Sequence, residues 1–145
     1  MLEENYRRRL ERVIAKTPSA IEMPEGLNRF FEEKGPTPSC EDERRHESRT
    51  RVRTRGILIP ETWLPAFPRN QQLALIYTKD FSKTGFSCLS HEQYFPEETV
   101  RVILATFWMQ IRIRRCRRLS ASCFELGADL LQQHAPSDEA FAVDG

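Results

Sequence analysis

The chain has no pair of cysteines two residues apart, no apolar run long enough to cross a membrane, and no glycine-rich phosphate loop leading into a helix. Cys40, Cys88, Cys116 and Cys123 stand singly, and His46, His91 and His134 are scattered. This argues against a zinc site of familiar spacing and for reduced thiols in ordinary positions. No stretch reaches the roughly 18 apolar residues that a transmembrane helix needs. The opening Met-Leu-Glu-Glu-Asn-Tyr-Arg-Arg-Arg carries charges where a signal peptide needs an apolar core, so a cytoplasmic protein is expected. No Ser/His/Asp or Cys/His arrangement and no carboxylate pair stands out, and no internal repeat is visible. The expectation is a protein without catalytic activity, metal or cofactor.

What is present is unevenly placed charge. The 145 residues suffice for one domain with an appendage, and the net charge is only +1. Residues 41–120 hold 15 Lys and Arg against 9 Asp and Glu, whereas residues 121–145 hold 5 acids and no base. A basic middle with an acidic ending suits an anionic partner for the middle, or a solvated strand face with a solubilising tail.

Leu2, Tyr6, Leu10, Val13 and Ile14 recur at helical spacing, which predicts an amphipathic helix over Leu2 to Lys16, stopped by Thr17-Pro18. A second short helix is expected over Pro24 to Lys34, and Pro36 to Cys40 reads as a linker. From Arg51 the period changes to two. Val52, Thr54, Gly56 and Leu58 alternate with Arg51, Arg53 and Arg55, a first strand running to Pro60. Further strands are expected over Leu73 to Thr78, Phe86 to Leu89, Thr99 to Thr106, Met109 to Ile113 or beyond, and Ser122 to Ala128. The proline-containing segment Pro60 to Gln72 is a covering loop. Six short strands with turn-like breaks predict a mainly β fold, a six-stranded antiparallel barrel with an N-terminal helical extension. The domain division is residues 1–40 for the extension and linker, 41–132 for the barrel, and 133–145 for a loose acidic tail.

Two polar motifs lie about thirty residues apart. The first is Arg45-His46-Glu47-Ser48-Arg49, preceded by Arg44. The second is Asp80-Phe81-Ser82-Lys83-Thr84-Gly85, between the second and third strands. In this order, and followed by β-like segments, they resemble the PilZ domain, a small β-barrel that binds cyclic di-GMP. The ending Phe124-Glu125-Leu126-Gly127-Ala128-Asp129-Leu130-Leu131 is similar to that family's final strand. The resemblance covers roughly Glu43 to Leu131, and the loop over 60–72 is longer than it implies.

The residue types suit such a ligand. Arginine's planar fork bonds phosphate oxygens or the guanine O6/N7 edge, and its face stacks on a purine. The resemblance assigns that role to Arg45 and Arg49. A carboxylate such as Asp80 can take the paired N1–H and N2–H donors of guanine. Ser82 offers a small hydroxyl, and Gly85 permits positive φ and close backbone approach. The same Asp-x-Ser-x-x-Gly is also good turn chemistry. Phe81 and Phe86 read as core anchors. Arg44 ahead of the pair implies two stacked ligands per chain. The protein is thus expected to be a cyclic di-GMP receptor or adaptor, with an unidentified protein partner reached through the N-terminal helices. Motility, exopolysaccharide synthesis and gene regulation are all open as its process. The alternatives are a degenerate PilZ-type interaction module that binds no nucleotide, and a small barrel that binds nucleic acid through Arg112, Arg114, Arg115, Arg117 and Arg118. Nucleic acid is the less expected partner, because these arginines fit the outer face of one strand.

Overall fold

Between Arg55 and Leu130 alternate strand residues enter one buried interior, and some of their neighbours on the opposite face pack in a second apolar cluster outside it. A computed structural model describes residues 2–17, 19–21, 23, 35–36, 50–51, 53–69 and 72–142. The helix α1 spans Leu2–Lys16, as its periodicity predicts. Then come β1 (Gly35–Pro36), β2 (Thr50–Arg51), β3 (Arg55–Thr62), β4 (Ala74–Phe81), β5 (Gly85–Ser90), β6 (Thr99–Ile103), β7 (Trp108–Ser120) and β8 (Cys123–His134). The six long strands run in the order β4-β3-β6-β7-β8-β5, all antiparallel, and β5 pairs back onto β4. The chain is therefore a closed six-stranded barrel with one N-terminal helix. The short β1 and β2 extend the edge beside β4, with Thr50 opposite Phe81 and Arg51 opposite Asp80.

Leu58, Ile76, Phe86, Cys88, Val100, Val102, Met109, Ile111, Ile113, Leu126 and Ala128 pack together as one buried cluster, the barrel interior. Their strand neighbours Ile57, Ile59, Leu75, Tyr77, Leu89, Ile103 and Trp108 form a second cluster with Tyr6 and Leu10 of α1. The run Ile57-Leu58-Ile59 is fully buried because both of its faces are covered. A 15-residue helix is marginal alone in water, so α1 owes its stability to this contact. Its last turn is closed by Thr17, whose hydroxyl donates to the Val13 carbonyl at 2.8 Å. The Tyr6 hydroxyl sits 2.5 Å from the Leu104 carbonyl and 3.0 Å from that of Phe107, and burial raises its pKa against the opposing pull of the Leu104 bond. Tyr6→Phe is expected to cost about 1–3 kcal/mol, because it strands a buried carbonyl. Urea unfolding monitored by far-UV circular dichroism measures this, and an unchanged midpoint would mean that α1 is not latched by that bond.

Three expectations change. The ending is not a loose tail through residue 142. Asp138–Phe141 forms a 3-10 helix, with Ala140 and Phe141 buried beside Tyr6. Arg101 donates to the carbonyls of Ala140 and Ala142, while Arg9 stacks on Phe141 and pairs with Asp138 at 3.7 Å. A single aromatic in a polar run carries no period, yet α1 supplies the groove that covers it. The fourth long strand ends at Ile103 rather than Thr106, and β8 runs on to His134. Arg53, placed by alternation on a solvated face, is buried; the strand is broken between β2 and β3, and Arg53 donates from Nε to the Lys79 carbonyl at 3.1 Å. The expected second helix over 24–34 lies outside the described residues.

Candidate ligand-binding face

By simple alternation from Ile76 and Thr78, Asp80 would point into the barrel. A bulge prevents this. Thr78 pairs with inward Cys88, but Asp80 pairs with Ser87, so Lys79 is an extra residue and Asp80 comes to the outer face. Its backbone N–H donates to Ser87 Oγ at 3.2 Å. The carboxylate lies 3.9 Å from Arg53 Nη2, too far for a hydrogen bond. Asp80 Oδ1 is buried and accepts no hydrogen bond. Leaving a buried acceptor unsatisfied costs about 1–3 kcal/mol, so this oxygen is poised to take a donor.

The rest of the motif closes the β4–β5 hairpin. Ser82 N–H donates to the Gly85 carbonyl at 3.0 Å, and Gly85 N–H donates to Ser82 Oγ at 3.0 Å. Gly85 is not in the left-handed region. A Cβ there would sit 3.3 Å from Ser82 Oγ and 3.5 Å from the Ala128 carbonyl, so glycine is used for closeness, not for positive φ. Phe81 and Phe86 pair inward, with ring centroids 5.9 Å apart, and Phe107 closes on Phe81 at 5.5 Å. They are core anchors, as their alternation implies.

Arg44, Arg45 and Arg49 lie outside the described residues. What is described is the point where their segment joins the barrel: Thr50 opposite Phe81 and Arg51 opposite Asp80. The peptide bond from residue 49 to Thr50 therefore ties the arginine motif to the strand that carries Asp80.

On the neighbouring strands, Lys79 bonds Glu125, and Arg117 lies 3.3 Å from Glu125. Burial alone would raise the Glu125 pKa; the Lys79 bond, with the charges of Lys79, Arg117 and Arg115, outweighs it and holds the carboxyl below its usual value. Glu125 thus stays ionised here, and its contribution to stability disappears only as pH falls through that lowered pKa. Arg114 reaches Asp129 at 2.8 Å. The basic run of β7 is therefore partly matched by acids on β8, which sequence spacing does not reveal. Among the described residues no group of three or more His, Cys, Asp and Glu could hold a metal. Burial raises the thiol pKa of Cys88, Cys116 and Cys123. No helix among the described residues is long and apolar enough to cross a membrane. Comparison with protein-family models, curated proteins and solved structures gives no match.

Sequence reasoning missed Arg53 as part of this face. A run of six arginines between 44 and 55 hides it. The signal available was Asp80 itself, a carboxylate that needs a nearby cation once it leaves water.

Proposed function

We propose that the protein is a cyclic di-GMP receptor of the PilZ type, a non-catalytic adaptor whose ligand-bound state is read by a protein partner. The observation that carries this reading is the buried Asp80 Oδ1, which accepts no hydrogen bond and has only Arg53 as a distant ion-pair partner, on the outer barrel face beside the short strand that begins at Thr50. Asp80 accepts the N1–H and N2–H of one guanine. Arg45 and Arg49 bond the phosphodiesters and cover the bases. Ser82 and Gly85 hold the hairpin so that backbone approaches the ligand, and Arg44 offsets the charge of a second stacked ligand. The N-terminal extension, whose helix α1 rests on the barrel, passes the signal to the partner.

A ligand that binds the folded state alone raises stability by about 2.7 kcal/mol at a hundredfold excess over Kd. For a chain of this size that is a rise of roughly 5–10 °C in Tm. Cyclic di-GMP is expected to produce such a rise, and GMP is not. Equilibrium dialysis should give two ligands per chain, falling towards one in Arg44→Leu. A flat melting curve with millimolar cyclic di-GMP would sink the receptor reading. Binding of single-stranded RNA in its place would favour the nucleic-acid alternative.

A further inference from the structure

A second bulge matches the one at Asp80. In β7, Ile113 pairs with inward Ala128, but Arg115 pairs with Gly127, so Arg114 is the extra residue and Arg115 is turned to the outer face. Without that bulge Arg115 would share the interior parity of Ile111 and Ile113. The pairings Asp80↔Ser87, Ser87↔Gly127 and Gly127↔Arg115 then form one continuous row across four strands. At one end stands the buried carboxylate oxygen that accepts no hydrogen bond. At the other stands an exposed guanidinium. Between them lie two small residues, a serine and a glycine.

Arg115 is laid along this row. A Cβ on Gly127 would fall 2.7 Å from Arg115 Nε and 2.9 Å from its Cγ, so the arginine stem runs over the space that glycine leaves empty. Its neighbours are engaged, Arg114 with Asp129 and Arg117 with Glu125. Arg115 itself makes no hydrogen bond or ion pair among the described residues. The Ser87–Gly127 floor, two strand spacings or roughly 10 Å from Asp80 to Gly127, is wide and flat enough for a purine lying on the sheet.

We infer that Arg115 is a ligand-contacting residue, which reads the O6/N7 edge of the guanine whose Watson–Crick edge Asp80 holds. This rests on the cyclic di-GMP reading and extends it to a residue outside both motifs. Arginine offers two parallel donors to those two acceptors, the commonest arginine contact with guanine. Adenine presents a donor at the position of O6, so Asp80 and Arg115 together would exclude it.

The test is calorimetric titration with cyclic di-GMP and with its 7-deaza analogue, which lacks the N7 acceptor. The full-length parent, Arg115→Ala, Gly127→Ala and Arg114→Ala proteins are compared, each checked for an unchanged far-UV spectrum. Arg115→Ala is expected to weaken cyclic di-GMP about tenfold or more, and Arg114→Ala less than twofold. Gly127→Ala should behave like Arg115→Ala, because its methyl displaces the arginine stem. The 7-deaza substitution should weaken binding to the parent about tenfold and to Arg115→Ala hardly at all. If the parent binds and Arg49→Ala does not, yet Arg115→Ala binds like the parent, the inference is overturned and the receptor reading stands. A 7-deaza penalty that persists in Arg115→Ala overturns it too. No binding by the parent overturns both.

Discussion

Replacing Glu98 by Ala is expected to destabilise the barrel by about 3–5 kcal/mol, the usual cost of removing one partner of a buried ion pair. The Glu98 side chain is fully buried and Arg69 is 14% exposed. Arg69 Nε bonds Oε2, Nη2 donates to Oε1 at 2.9 Å and to the Gln93 carbonyl at 2.8 Å, and the Phe95 N–H donates to Oε1 at 2.6 Å. The guanidinium also lies 4.2 Å over the Tyr94 ring. Removing the carboxylate leaves the Phe95 N–H without its acceptor and Arg69 with only the Gln93 carbonyl, the Tyr94 ring and the half-exposed Glu92 at 3.7 Å. It also unlatches the proline-containing loop from the turn between β5 and β6, where Glu97 holds a left-handed φ of 79°. Replacing both partners with apolar residues, Glu98→Leu with Arg69→Met, should recover much of the loss. Urea denaturation of the two variants beside the parent checks this. A loss under 1 kcal/mol for Glu98→Ala would mean that the pair is hydrated and the loop is held otherwise.

The second large effect concerns the ligand. On the proposed cyclic di-GMP reading, Arg49→Ala would remove a charge-assisted bond to phosphate worth about 1.5–3 kcal/mol, so affinity should fall about ten- to a hundredfold or more. Asp80→Ala should weaken binding at least as much, because it removes both acceptors of one guanine edge and leaves Arg53 buried without its carboxylate. The two effects are expected to differ in character. Arg49→Ala should leave stability unchanged, as its segment precedes the barrel strands. Asp80→Ala changes stability in two opposed ways, by removing an orphan acceptor and by freeing Arg53 from its ion pair. Raised salt should weaken the parent more than Arg49→Ala, because one screened contact is already gone in the variant.

Much of the fold was legible in the sequence because strands and helices write their periods plainly. Val100 and Val102, or Met109, Ile111 and Ile113, alternate as a barrel strand must, and Leu2 to Lys16 shows its buried stripe. The features that escaped depend on partners distant in sequence. Arg69 and Glu98 are 29 residues apart with no local pattern between them. Phe141 is buried only because α1 arrives beside it. Bulges are the sharpest case. One extra residue at Lys79 and another at Arg114 reverse which way Asp80 and Arg115 face, and no spacing in a single strand records this. The Asp80 motif was legible as chemistry, while its orientation was set by the neighbouring strand's register.

The central claim is that the arginine segment and the Asp80 hairpin form one cyclic dinucleotide site. Calorimetric titration of cyclic di-GMP into the full-length parent and into Arg49→Ala, with both proteins shown to be folded, tests it most directly. The account predicts saturable binding by the parent, weakened at least tenfold in the variant. Equal affinity in the two proteins, or no heat of binding in the parent at millimolar ligand, would contradict it.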